Sequence, residues 1–214
     1  MQLKNFAFAL LFAGISAAAF ASTPEEAIRP IQDQWAEIKY RLPEKQQAER
    51  YHALAEQARQ LATAQPGHAE ALIWEGIALS SEAGAKGGLG ALSIAKAAKQ
   101  QLETALKLDD KALKGSAYTS LGTLYFKVPG WPIGFGDKAR AEELLKKALA
   151  INPTGIDPNY FYADYLAERE RYAEALRHLD TALKAPARSG RELADSGRRQ
   201  EIQTLIAKVK KDME

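Results

Sequence analysis

Four residues set the frame of this chain. Leu61, Ala105, Ala148 and Ala182 hold the same place near the end of four helix-like segments, at spacings of 44, 43 and 34 residues. Each of those segments follows another with helical apolar periodicity, so the chain reads as a succession of helix pairs. A single pair of this size cannot bury its own apolar face, and neighbouring pairs must stack to make a core. The two long intervals carry visible insertions, at residues 81–90 and 128–136, which account for their excess. The expected fold is therefore all-α: about seven to nine helices in antiparallel pairs, wound as a short right-handed solenoid.

Local signals place the elements. Thr23, Pro24 and Glu26 make a capping box ahead of an apolar stripe of Ile28, Ile31, Trp35 and Ile38, with Pro30 as a candidate kink. Pro43 separates this helix from one carrying Tyr51, Leu54, Ala58 and Leu61, which stops at Gln65-Pro66-Gly67. The second pair opens at Ala69, with Gly76 where two helices must approach closely. Glycines 84, 87, 88 and 90 read as a flexible loop, followed from about Ala91 by an amphipathic helix with Leu92, Ala95, Ala98, Leu102 and Ala105 on one face. In the third pair, VPGWPIGFGD interrupts what would be a regular turn, and Asp137 caps the next helix. The fourth pair runs regularly from Ile156. Ser189 and Glu192 suggest a further capping box before a terminal amphipathic helix of Leu193, Ile202, Leu205, Ile206 and Val209, which would cover the open end of the stack.

Composition narrows the function classes. Lys and Arg number 29 against 27 Asp and Glu, so no global field recruits nucleic acid or an anionic membrane. The mildly basic stretch from Lys184 is mixed in sign and reads as a solvated face. The absence of cysteine excludes disulfides, thiolate metal sites and a lipidated N-terminus. Lys4, the apolar run from Phe6 to Ile15 and Ala19-Phe20-Ala21 have the layout of a secretory signal peptide. Cleavage is expected after Ala21, giving a periplasmic, non-lipidated chain without a membrane span. The divisions expected are a signal peptide at 1–21, a repeat domain at 22–187 and a C-terminal capping helix at 188–214.

The repeat itself has a recognisable signature. Leu121, Gly122 and Tyr125 form L-G-x-x-Y, and Ala141, Leu145, Ala148 and Pro153 supply the spaced small, large, small and proline positions of a partner helix. Over roughly residues 30–190 the chain resembles the tetratricopeptide (TPR) superfamily, whose period equals the last of the three spacings. The GALSIAKAAKQQLETALKL run and the VPGWPIGFGD insertion resemble those of exported bacterial TPR proteins related to the T component of TRAP transporters and to the regulator of microtubule dynamics family. What the resemblance implies is a concave groove, lined by the first helix of each pair, that binds a protein or peptide. Carried over position by position, the groove-facing residues are Ile73, Ile77 and Ser80; Thr119, Thr123, Phe126 and Lys127; and Tyr160, Asp164 and Glu168. The Lys, Asn and Arg of a carboxylate clamp are not at these positions. A neutral or basic segment with apolar anchors suits them better than an acidic C-terminus.

Trp131 and Phe135 admit two readings: rings folded back as a packing wedge, or exposed anchors for a partner. A wedge would set one of them against residues 89–92 of the other insertion. The run GAKGGLG fits no phosphate-loop pattern, and His52, His68 and His178 lie in different pairs without metal-ligand spacing. No nucleophile elbow or paired catalytic carboxylates stand out, so neither enzyme activity nor a cofactor is expected. The sequence reading is a periplasmic protein- or peptide-binding module, with self-association left open. The alternative is a solute-handling protein in which the two insertions roof a pocket for a small organic ligand.

Overall fold

The computed structural model describes residues 23–214, so the expected signal peptide and its cleavage site lie outside the described residues. The helices are α1 (Pro24–Arg41), α2 (Glu44–Ala64), α3 (Ala69–Lys86), α4 (Gly88–Leu108), α5 (Ala112–Lys127), α6 (Lys138–Ile151), α7 (Ile156–Glu168), α8 (Tyr172–Leu183) and α9 (Glu192–Asp212). Among the described residues none forms a strand, and no helix is long and apolar enough to cross a membrane.

The repeat register can be read directly in the backbone. The first residue after α2, α4 and α6 donates its N–H to the carbonyl of Leu61, Ala105 and Ala148 respectively, at 2.9, 3.0 and 2.9 Å. Three second helices thus end on the same bond at the same repeat position, which satisfies one otherwise orphaned carbonyl in each. At the N-terminus, Thr23 and Glu26 form the expected capping box, and α1 passes through Pro30 without a break. Asp137 caps α6 by accepting from Arg140 N–H at 3.0 Å.

Close approach between helices rests on glycine against leucine. A Cβ on Gly76 would stand 2.6 Å from Leu102 Cγ, and one on Gly122 would stand 2.8 Å from Leu145 Cγ. Leu102, Leu145, Ala98, Ala105, Ala141 and Ala148 are all fully buried at these interfaces. Small-against-large packing of this kind brings two helix backbones together without a void.

Three sequence expectations are corrected. The glycine loop shrinks to a tight turn: α3 continues through Gly84 to Lys86, Gly87 and Gly88 turn the chain at φ 60° and 63°, and α4 begins at Gly88. The inserted residues lengthen both helices, because alanine-rich flanks favour helix enough to carry Gly84 and Gly90. Ser189 does not cap α9; Arg191 stands at the N-cap and Glu192 accepts from Gly190 N–H at 3.0 Å. Finally, the 128–136 insertion is a tight loop closed by a Gly136 N–H to Pro129 carbonyl bond of 2.9 Å. Its two rings diverge: Trp131 is 90% exposed, while Phe135 turns inward, edge-on to Tyr125 at 5.5 Å. Trp131 is no wedge. The loop does meet the other insertion, but through Gly134, where an added Cβ would lie 3.2 Å from Leu92 Cδ1.

The terminal helix does more than cap. Its C-terminal half buries Ile202, Leu205 and Val209 against Ala175, Leu179 and Ala182 of α8. Its N-terminal half places Leu193 and Ala194 in the core formed by Ile28, Trp35, Tyr51 and Trp74 at the other end of the chain. The first helices of the pairs contact one another in the order α1, α3, α5, α7, and α9 touches both α7 and α1. The solenoid is thereby closed into a ring of five inner helices, with α2, α4, α6 and α8 outside.

Candidate functional site: a lumen inside the helical ring

Ring closure converts the expected open groove into a lumen of about 1280 Å³. Its wall includes Glu25, Glu70 and Lys111 near the N-terminal ends of the inner helices, and Lys39, Ala85, Lys127 and Asp164 near their C-terminal ends. The space therefore runs along the helices. A smaller recess of about 440 Å³ at the junction of α1, α7 and α9 shares Lys39, Tyr40, Tyr160, Asp164 and Glu201 with it.

Of the residues expected to face a ligand, Ile77, Ser80, Thr119, Thr123, Lys127, Tyr160 and Asp164 line the lumen. The Ser80 and Thr123 hydroxyls donate to the carbonyls one turn back, Gly76 at 2.7 Å and Thr119 at 2.9 Å, leaving oxygen lone pairs free to accept. Ile73 is fully buried among Ala98, Leu102 and their neighbours, and Phe126 is buried edge-on to Tyr165 at 5.4 Å. Both are core residues, one position off the inner face. Glu168, Trp131 and Phe135 also stand outside the lumen wall.

The two carboxylates Asp164 and Glu168 share one cation, which offsets half of their charge. Lys127 Nζ reaches Asp164 at 2.8 Å and Glu168 at 2.7 Å, and sits 4.2 Å above the Phe126 ring. Burial works against the ammonium, but the two carboxylates outweigh it and hold its pKa above the ordinary lysine value.

The strongest electrostatic feature is at the seam where α9 meets α7 and α1. Arg198 is 6% exposed and binds Asp157 at 2.9 Å, with Glu201 on its other side. Arg188 bridges Asp157 at 2.7 Å and Asp195 at 2.6 Å. Burial by itself would raise the Asp157 carboxyl; Arg198 and Arg188 overcome that and hold it at about 2. The Arg198 guanidinium also lies 4.5 Å from the Tyr160 ring centroid and 4.7 Å from that of Phe161. Glu201 accepts from Tyr40 Oη at 3.2 Å and pairs with Lys39 at 3.3 Å. Gly197 admits the Tyr40 ring against the α9 backbone, where any side chain would collide.

This corrects the reading of the C-terminal charges as a solvated face. Arg191, Asp195 and Arg198 recur at i, i+4 and i+7, one side of a helix, with Gly197 beside them. The spacing was visible, but mixed-sign charge on a surface helix shows the same spacing. Sequence reasoning also missed Trp35, Tyr51 and Trp74 as lumen residues, since their apolar periodicity reads as core. They are both: Trp35 Nε1 donates to Ser81 Oγ at 2.9 Å, and Trp35 and Trp74 meet edge-on at 6.2 Å.

A tetratricopeptide-repeat family model matches residues 133–195, the part of the chain with the most regular pair. None of the curated proteins compared with the chain matches it. Among solved structures, a thermophilic TPR protein of Thermus thermophilus superimposes with a TM-score of 0.56 at 16% identity, over 85% of this chain and 100% of that one. PilF of Pseudomonas aeruginosa aligns at 15% identity over 84% of this chain and 89% of that one, with a TM-score of 0.36 that carries no structural argument. Residues 133–195 match a tetratricopeptide-repeat model, and the chain folds as an all-α, TPR-type solenoid of antiparallel helix pairs.

Proposed function

We propose that the protein is a non-enzymatic periplasmic binding module that holds an extended segment of a partner protein in its lumen. The observation that carries this reading is the lumen itself. At about 1280 Å³ it exceeds the roughly 300–1,000 Å³ of a site for one drug-sized molecule. An 18-residue inner helix such as α3 is about 27 Å long, the reach of about eight extended residues. TPR-type folds are typically interaction scaffolds, and the wall combines tryptophan and tyrosine anchors with free hydroxyl acceptors, the mixture that recognises peptides. Trp131 and Ile133, 90% and 68% exposed on the 128–136 loop, offer an external contact to the same partner.

A second reading has a specific observation behind it. Because α9 returns to α1, the space is walled by all five inner helices, which suits a small organic solute, and the sequence resemblance to TRAP T components agrees. The two separate by experiment. Crosslinked pulldown from periplasmic extract with the wild-type chain should recover a partner that a lumen-filling Thr123→Trp variant loses. Equal recovery by both would sink the lumen reading. A several-degree thermal stabilisation by one member of an organic-acid panel, with no partner recovered, would favour the solute. Cell fractionation, with the N-terminal sequence of the mature chain expected to begin at Ser22, tests the compartment.

A further inference from the structure

Among the described residues, the buried side-chain polar atoms that make no hydrogen bond are Tyr51 Oη, Trp74 Nε1 and Arg191 Nε. All of them belong to residues lining the lumen, on α2, α3 and the start of α9. Tyr51 is 1% exposed and Trp74 5%. An orphaned polar group of this kind is costly and rare in a folded chain, and two of the three, on Trp74 and Arg191, belong to side chains in contact. Two of the atoms carry N–H and can only donate; the third is a hydroxyl able to donate. What they lack is an acceptor.

The charge points the same way. Arg188 and Arg198 are bound by Asp157, Asp195 and Glu201, and Glu201 also serves Lys39. Arg191 has no carboxylate at ion-pair distance among the described residues, although Glu25 and Glu70 line the same lumen. Its guanidinium lies instead 5.3 Å over the Trp74 ring. Burial and the neighbouring Arg188 make its charge harder to hold than usual, so an anion there would relieve it.

We propose that the Arg191–Trp74 corner is an anion-recognition centre that selects a carboxylate on the lumen's ligand, whose apolar body lies along Trp35, Ile77 and Phe161. This rests on the lumen being the binding site and adds the chemistry of what it selects. A single guanidinium lying over an indole ring fits a singly charged carboxylate better than a doubly charged phosphate. The clamp residues absent from the repeat positions are thus replaced by an arginine at the start of α9. The carboxylate belongs either to a small organic acid or to the free C-terminus of a peptide, and the test distinguishes these sources.

The chain has three tryptophans, and Trp131→Phe leaves only Trp35 and Trp74, both in the lumen wall, as fluorescent reporters. In that background, hexanoate and phenylacetate are titrated beside hexanamide and phenylacetamide, and a heptapeptide with a free C-terminus beside its C-terminal amide. The expected result is tryptophan quenching in which at least one acid binds about ten-fold or more tightly than its amide, the size of a charge-assisted hydrogen bond. Saturation by the small acids identifies a solute, and by the peptide alone a C-terminus. Arg191→Gln should erase the preference and Arg191→Lys restore part of it, with circular dichroism unchanged. Should either variant fail to fold, the wild-type acid-to-amide ratio decides alone. Equal binding of acid and amide overturns anion selection while leaving the lumen reading intact. Inorganic phosphate binding as tightly as the carboxylates, or no response to any probe, overturns the proposal, and the pulldown with Thr123→Trp then judges the lumen separately.

Discussion

The interfaces within the repeats and the seam that closes the ring solve one problem with different chemistry. Between α3 and α4, or α5 and α6, backbones meet over Gly76 and Gly122, and Leu102 and Leu145 fill the space beside them. At the seam, Gly197 again admits a large side chain, the Tyr40 ring, but arginines and carboxylates surround it. The repeat interfaces are dry, repeated and specified by neighbours about 25 residues away in the chain. The seam is held by ion pairs: α9 and the turn before it bind Asp157 of α7, 31 and 41 residues away, and Glu201 reaches Lys39 and Tyr40 of α1, more than 150 residues away. Apolar burial supplies stability without direction, whereas buried charge demands one partner in one place. A ring must close at one angle, and directional pairs are suited to set it.

Substitutions should separate the two chemistries. The largest effect is expected at a repeat interface: Leu145→Ala should cost about 4 kcal/mol in chemical denaturation, because the site is fully buried and backed by Ala141 and Ala148. At the seam, Asp157→Asn should cost about 3 kcal/mol by leaving Arg198 and Arg188 short of a carboxylate. A ring indifferent to this change would show that the seam is apolar in effect.

The seam should also have an acid signature. Asp157 is held at about 2 against an ordinary 3.8, so the stability it contributes is present above about pH 4 and lost as pH falls through 2. Asp157→Asn should remove that loss. The repeat side carries an opposite case in Glu75, 5% exposed on α3, whose carboxyl burial raises to about 7, with Glu56 adding to the rise and Arg59 opposing it. The protonated form favours folding, so stability should decline as pH rises from 4.5 through 7.

Smaller effects follow. On the 128–136 loop, Phe135→Ala should cost about 2 kcal/mol, since the ring is half-buried against Tyr125 and Lys99. At mildly alkaline pH, Glu75→Gln should stabilise by about 1–2 kcal/mol and flatten the pH profile in thermal melts. The smallest change is expected at Trp131, where alanine should leave stability within about 0.5 kcal/mol and register only in partner recovery.

Much of the fold was legible because its determinants are local. The capping box at Thr23, the glycine at 76, the apolar stripes and the repeat-closing positions at 61, 105, 148 and 182 act within one helix pair or between neighbours. Periodicity and cap chemistry express such relations directly. The misreadings fell where two physical outcomes share one pattern. Glycines 84, 87, 88 and 90 allow a loop, but helical flanks absorbed Gly84 and Gly90 and left the turn to Gly87 and Gly88, both at positive φ. Trp131 and Phe135 share one short loop, and only its folded path turns one ring outward and the other in.

By itself, the sequence determined that this chain builds stacked helix pairs, roughly where most of them begin and end, and which faces meet, since each depends on residues within about forty positions of one another. Only the tertiary structure decided that α9 returns to α1, that the groove is a lumen, and that Arg191 stands there without an ion-paired carboxylate among the described residues. The physical reason is cumulative. Each stacked pair adds a small rotation, and whether the fifth inner helix meets the first depends on the sum of those rotations rather than on any local pattern.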